Sequence, residues 1–354
     1  MESQRLTLSW DSVANASGYH IYYSTDPSFT HVSYAAFANG TWLQNVSSPR
    51  QINGLTNGQT YYLVITAVVD GVERSPSAKV SGTPRNPPAD TPPTSQEVLG
   101  LELVNRARFD PLAEAQRYNI GLNDGGVNIS TARKPPLAPN LLLGKAARGH
   151  SQWMIDNDVF SHTGANGSSP EQRISAVGYN WTAAGENIAW QGTTGNTINL
   201  TSAMLGHHEL LFKSSGHREN MLRANYREAG LGQMSGNFLH TNGVIYLSSM
   251  LTQKFARSGS SFFLTGVGYQ DSNSNSRYDP GEALTGLSIH VNGQSYAPYN
   301  SGIYAIPLNN GSYTVTVSGG GLGTVSPVNI QINNGNVKLD VIRRNGVTEI
   351  VTWQ

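Results

Sequence analysis

The chain has 354 residues, no cysteine, and 23 Lys and Arg balancing 23 Asp and Glu. That length suffices for two or three domains, each with its own core. The missing thiols exclude disulfides, thiolate zinc sites and Cys nucleophiles, and the zero net charge points to no nucleic acid and no anionic membrane surface. No apolar run reaches the ~18 residues a transmembrane helix needs. The opening MESQRLTLSW lacks the charged head and apolar stretch of a signal peptide, so either the protein is cytoplasmic or a leader was removed before this chain was made.

Residues 1–84 read as all-β. Leu6, Leu8 and Trp10 alternate with polar residues, GYHIYYS at 18–24 is rich in aromatics, and Tyr61, Leu63, Ile65 and Ala67 share a face of YYLVITAVVDG, which ends on the turn pair Asp70-Gly71. With LSW at 8–10 and GLTNGQTYYLVITA at 54–67, this segment resembles a fibronectin type III domain, with Tyr61 where that family places its corner tyrosine. The resemblance implies a spacer or docking module. RNPPADTPPTSQ at 85–96 holds four prolines and reads as a semi-rigid extended linker.

The pattern then changes. Thr94 and Glu97 have capping-box spacing before Val98, Leu99, Leu101, Leu103 and Val104, so a helix opens residues 97–256 and stops near Asp110-Pro111. Asn140 caps a second helix, in which Leu143, Ala146, Ala147, His150, Trp153 and Met154 share one face. AGLGQM and GVIYLSSMLTQKFA read as strands.

GHHELLFKSSGHREN at 206–220 concentrates three of the chain's nine histidines. A zinc-protease helix needs His at i and i+4 with Glu after the first. From His208 the i+4 position is Phe212, and from His207 it is Leu211, so the motif fails in both registers and other ligands must come from elsewhere. Read together, GHSQWMIDNDVFSHTGANGSSPEQR, VGYNWTAAGENIAW, HHELLFKSSGHRENML and YREAGLG resemble the CAP superfamily, also called the SCP domain. The resemblance implies an α-β-α sandwich with a groove holding a His/Glu tetrad. Carried onto this sequence, His162, Glu186 and His217 take three tetrad positions. The fourth departs from the family: counting back from GHR leaves Ser214 near the second glutamate's place. His208 is the side chain expected to reach the groove instead, with Glu209 as runner-up.

Three imidazoles and a carboxylate at one place are a donor set for Zn2+ or another divalent ion, with Glu186 as base or ligand of a hydrolytic water. The same groups can also form a purely structural network. Ser151 and Ser161 are expected as caps or surface residues, His150 as a core imidazole bonded to backbone, Arg218 as a loop anchor and His207 as exposed.

Residues 260–354 return to β. LSIHV, SYTVTV, VNIQI and VKLDVI alternate, punctuated by Asn-Gly at 292–293, 310–311 and 334–335, which predicts a small antiparallel sandwich. DSNSNSRYDPGE at 271–282 has calcium-loop spacing: Asp271, Asn273, Asn275, the Arg277 carbonyl, Asp279 and Glu282 stand at positions 1, 3, 5, 7, 9 and 12. Ser276 occupies the position that wants a permissive backbone. With its flanks, the loop resembles the calcium-loop β-sandwich repeats of bacterial surface proteins, and a structural Ca2+ there suits an exported chain. The expectation is a secreted or cell-surface protein of three domains. Its central groove binds a small ligand or a metal without turnover, its partner a small molecule, a glycan or a protein at the surface, with a metal-assisted hydrolase of peptide or cell-wall material and a structural adhesin as alternatives.

Overall fold

The computed structural model describes residues 5–37, 39–53, 55–56, 58–84 and 91–353; the first six linker residues, 85–90, lie outside them. The chain divides into two units, residues 1–87 with 192–199 and 235–248, and residues 88–191 with 200–234 and 249–354.

In the first unit, β1 (Arg5–Leu8) pairs with β4 (Arg50–Asn53), while β3 (Thr41–Val46), β2 (Ala16–Ser24), β5 (Tyr61–Val69) and β6 (Val72–Glu73) follow one another in a second sheet, with β7 (Val80–Gly82) also on β5. Asp70 and Gly71 both have positive φ and close the two-residue β5–β6 hairpin that a type I′ turn requires. Ile21, Val46, Ile52, Tyr61 and Leu63 form the core, with Leu6, Leu8 and Trp10 packed on it. The Tyr61 hydroxyl accepts the Thr56 backbone N–H at 3.0 Å, which ties the strand to the loop before it.

The second unit opens on α1 (Ser95–Phe109), whose capping box closes as the sequence predicts: Thr94 Oγ1 accepts the Glu97 N–H and Glu97 accepts the Thr94 N–H. Asp110 both ends α1 and caps a further short helix, α2 (Pro111–Arg117); proline at the first helical position starts a helix as readily as it stops one. β8 (Ala138–Pro139) leads into α3 (Leu141–Asp156), capped by Asn140. Next come α4 (Pro170–Ala176), β9 (Ala183–Thr193), α5 (Leu200–Lys213), α6 (Ser215–Leu222), β10 (Glu228–Leu239) and β11 (Ile245–Arg257). The sheet order is β8-β10-β11-β9.

Strand alternation assigns the two faces of this sheet. Ala229, Leu231, Leu251 and Phe255 join the core of α1, α5 and α6, whereas Ala256 packs with Leu143, Ala146 and Ile174 from α3 and α4. Helices therefore cover both faces. A Cβ on Gly230 or Gly232 would come within 2.0 or 2.2 Å of α3 backbone atoms, so the absence of side chains at these two positions is what lets α3 lie against the sheet. Ser151, expected at the surface or a cap, is fully buried in this seam and donates to the Gly232 carbonyl at 2.8 Å. Buried Arg148 donates to the Thr91 and Pro92 carbonyls and to Glu97, which fixes the end of the linker.

The chain ends in β12 (Phe262–Gln270), β13 (Leu287–Val291), β14 (Gln294–Tyr296), β15 (Ile303–Leu308), β16 (Gly311–Gly319), β17 (Val328–Ile332), β18 (Val337–Arg344) and β19 (Val347–Trp353). They form two four-stranded sheets, β15-β12-β18-β19 and β14-β13-β16-β17, that share one core. The predicted all-antiparallel pairing needs correction, because β12 and β18 run parallel. Asn292-Gly293 makes a two-residue hairpin with both φ positive, but the other two Asn-Gly pairs lie where the chain passes from one sheet to the other. The second face of the first sheet is covered as well: Val267, Tyr269 and Ile342 belong to the same core as α1. Among the described residues no helix is long and apolar enough to cross a membrane.

Candidate functional site

The site forms at β9, which ends the sheet order. Glu186 sits in that strand with its side chain 1 % exposed. His162, in the loop after α3, donates Nδ1–H to Glu186 Oε1 at 2.8 Å while its ring stays half exposed. A neutral imidazole so engaged keeps Nε2 as an acceptor facing outward.

Two cations absent from the sequence reading complete the cluster. Arg173 of α4 donates to both Glu186 oxygens at 3.0 and 2.9 Å and to the His162 carbonyl at 2.8 Å. Lys254, fully buried in β11, meets Glu186 Oε2 at 2.5 Å. Burial alone would raise the Glu186 carboxyl; the His162 hydrogen bond and the Lys254 and Arg173 charges overcome it and bring it down to about 2. Lys254 is lowered to about 8 by the same burial, against the pull of Glu186. A signal for Lys254 existed in the sequence, since a lone lysine in an apolar strand needs a buried carboxylate. His150 matches its expectation: its Nε2 bonds the Ser161 carbonyl at 2.9 Å, and burial lowers it to about 4.

His217 of α6 shares a 2.9 Å hydrogen bond with Ser214 Oγ, and burial together with the nearby His162 lowers it. On the α5–α6 side of β9, Asn187 Nδ2 donates to the His217 carbonyl at 3.1 Å and to Gln253 at 3.1 Å. The structure thus brings His162, Glu186 and His217 together.

It does not bring His208 to them. His208 Nε2 bonds Glu114 of α2 at 2.8 Å, with both side chains 1 % exposed, and its ring lies by Tyr118 and Phe212. Glu114 also takes Arg106 and Arg117; burial would raise it, but the His208 and Arg106 hydrogen bonds and charges outweigh burial and bring it down to about 2. Its neighbour His207, expected exposed, is fully buried and bonds Ser249 at 2.9 Å. Adjacent helix residues point about 100° apart, so one ring meets the sheet and the other meets α2. Glu209 is half-exposed and pairs with Lys213 at 2.5 Å. Arg218 anchors a loop as expected, donating to the Leu122, Phe212 and Lys213 carbonyls.

This arrangement does not fit a divalent ion. Among the described residues no group of three His, Asp or Glu side chains is spaced to hold a metal ion. Two cations already compensate Glu186, so a third positive centre beside it is repelled, and a carboxyl held at about 2 is a weak base at neutral pH.

Residues 101–241 match the family model CAP, the cysteine-rich secretory protein family. The middle segment is a CAP domain. The uncharacterized protein YkwD of Bacillus subtilis (strain 168) is 30 % identical over 110 residues, which are 31 % of this chain and 39 % of YkwD. The chain thus spans about two-fifths of that relative's length. A solved extracellular protein containing a SCP domain, from Bacillus anthracis str. Ames, shows 18 % identity over 58 % of this chain and 66 % of that one, with a TM-score of 0.29. An Fn3-like protein from Clostridium thermocellum shows 26 % identity over 22 % of this chain and 75 % of its own, with a TM-score of 0.19.

In the loop at 271–282, side-chain oxygens are pinned by backbone N–H groups farther along. Asp271 accepts from Asn275 and Ser276, Asn273 from Asn275, and Asn275 from Arg277. Ser276 adopts φ 60, the permissive conformation that its position demands. Glu282 accepts the Ser272 and Asp279 N–H groups, closing the loop end to end. The counter-charges are Arg344 on Asp271 at 2.6 Å and Arg277 on Asp279 at 3.1 Å.

Proposed function

We propose that this chain is an exported, surface-exposed protein whose CAP domain binds a small hydroxyl-bearing ligand, such as a glycan, at His162 without turning it over. A fibronectin type III-like segment at 1–84 and a calcium-stiffened β-sandwich at 260–354 present that domain. One observation carries the reading: Glu186 is fully compensated by Arg173 and Lys254, while the His162 imidazole stays half exposed. A catalytic carboxylate needs a pKa near the working pH, and a zinc ligand needs a free lone pair and no competing cation; Glu186 meets neither condition. The metal-assisted hydrolase therefore loses its base and its ion, and a purely structural adhesin leaves the exposed imidazole unexplained.

Calorimetric titration with Zn2+ is expected to show no stoichiometric binding at the His162 site. One Zn2+ per chain, abolished in a His162→Ala, His217→Ala double variant, would restore the hydrolase. Immobilised glycans are expected to retain the wild-type chain and not this variant. For the loop, calcium is expected to raise the melting temperature of the wild-type chain but not of Asp271→Ala; an equal rise in both would remove calcium from Asp271, Asn273, Asn275, Arg277, Asp279 and Glu282.

A further inference from the structure

A cavity of about 380 Å³ lies between α1 and the face of β12, β18 and β19 turned toward it, away from the His162 site. That volume is within the range of small-molecule sites. Its walls include the rings of Phe109, Tyr269, Tyr278 and Trp353; Phe109 and Trp353 meet edge to face at 5.0 Å, and Tyr269 and Tyr278 at 6.0 Å.

Its charges are uneven. Arg106, Arg277 and Arg344 line the cavity, but each is neutralised by a carboxylate outside the lining, Glu114, Asp279 and Asp271 respectively. What remains in the lining is one ammonium, Lys338, and three carboxylates, Glu102, Asp340 and Glu349. Lys338 is 3 % exposed and bonds Glu102 Oε2 at 2.8 Å as well as Asp340 Oδ2. Asp340 Oδ1 accepts the Val267 N–H at 2.9 Å, whereas the Glu102 side chain, 16 % exposed, keeps part of its carboxylate open to the cavity. One group of the lining is unanswered. The Tyr278 hydroxyl, on a residue 1 % exposed, makes no hydrogen bond, with the Ser95 hydroxyl nearby but not closing one. A buried, unpaired hydroxyl beside an aromatic wall is costly without a partner.

We propose that this cavity is a binding site for a primary alkylammonium ion, whose N–H groups meet the Glu102 carboxylate and the Tyr278 hydroxyl while its stem and charge lie against the aromatic rings. The ammonium supplies the positive charge the lining lacks, and the apolar stem replaces water along Leu99, Leu103 and Val351. Burial and the neighbouring Asp340 charge raise the Glu102 carboxyl, against the pull of Lys338, and an added cation would hold it ionised.

The test is calorimetric titration of the full chain, in chelator-treated buffer at neutral pH, with n-pentylamine and with the neutral n-pentanol. Pentylamine is expected to bind at one site per chain, and pentanol at least about tenfold more weakly. Glu102→Gln is expected to weaken pentylamine about tenfold and Tyr278→Phe about threefold, each variant keeping the wild-type melting temperature within a few degrees. Glu102→Gln leaves Lys338 its Asp340 partner, and should it unfold, Tyr278→Phe decides alone. Equal binding of pentylamine and pentanol, no saturable heat from pentylamine, or undiminished pentylamine binding in the folded variants would overturn the proposal.

Discussion

Lys254 sets the charge of the CAP site. It stands in a strand buried on both faces, and its ammonium is solvated there by Glu186 and by the Pro170 carbonyl at 3.0 Å. Lys254→Met keeps the stem and removes the charge, leaving the buried Glu186 with Arg173 and His162. Glu186 is then expected to rise from about 2 toward an ordinary carboxyl value. Breaking a buried pair costs about 3–5 kcal/mol, so the urea midpoint at pH 7 should fall accordingly; a loss under about 1 kcal/mol would mean that Arg173 alone compensates Glu186. At this scale the sequence was partly legible. His162, Glu186 and His217 stood out through their blocks, and the structure draws them together. Arg173 did not, and Lys254 showed only as a lysine in an apolar strand with its partner unnamed, since pairing across strands and helices leaves no spacing to read. His208 misled because three histidines near one another in sequence look like one cluster, although a helix turns adjacent side chains to different neighbours.

At the scale of elements, α3 meets β10 through glycine. Gly232→Ala puts a methyl group within 2.2 Å of the Arg148 amide nitrogen, backbone that cannot swing aside. The helix must lift, at the upper end of the ~1–3 kcal/mol that overpacking costs. Gly149→Ala is the internal control: this exposed mid-helix glycine has nothing within 4 Å of the added Cβ, so the change is expected to stabilise α3 by about 0.5–1 kcal/mol. Urea unfolding of the two variants should move the midpoint in opposite directions, and an unchanged midpoint for Gly232→Ala would mean the seam is looser than its contacts indicate. Helices with caps and strands with hairpin pairs were readable because their signals are local: Thr94 with Glu97, Asn140, Asp70-Gly71 and Asn292-Gly293 all act within a few residues. The environment of β18 was not readable. Its alternation of Val337, Leu339 and Val341 with Lys338 and Asp340 reads as core against solvent, and α1, more than two hundred residues away, covers the polar face.

For the molecule as a whole, the buried histidines decide how stability responds to acid. His150, His207 and His208 are each at most 1 % exposed, and each has Nδ1 without a partner. Protonating such a ring creates an N–H donor with nothing to receive it. Burial holds His150 at about 4 and His207 at about 3, and lowers His208 and His217 as well. In the unfolded chain these rings take protons near pH 6.5. Between that value and the folded ones the unfolded state binds more protons, so stability is full above about pH 6.5 and falls as the pH drops, by up to ~1.4 kcal/mol per pH unit for each ring. Glu102 opposes them: its raised carboxyl takes a proton in the folded state first, which adds stability as the pH falls toward its unfolded value. One carboxyl against four imidazoles leaves the histidines in control. Glu186 and Glu114, both depressed to about 2, add a second loss that starts below their unfolded value near pH 4.5 and runs down to about 2. Urea midpoints followed from pH 7.5 to 3 are therefore expected to decline in two stages, the first beginning near pH 6.5, well above where carboxylates titrate. A midpoint that stays level from pH 7 to 5 and drops only below 4.5 would show that the rings carry protons in the folded state, and that the unpartnered Nδ1 atoms find acceptors when they do.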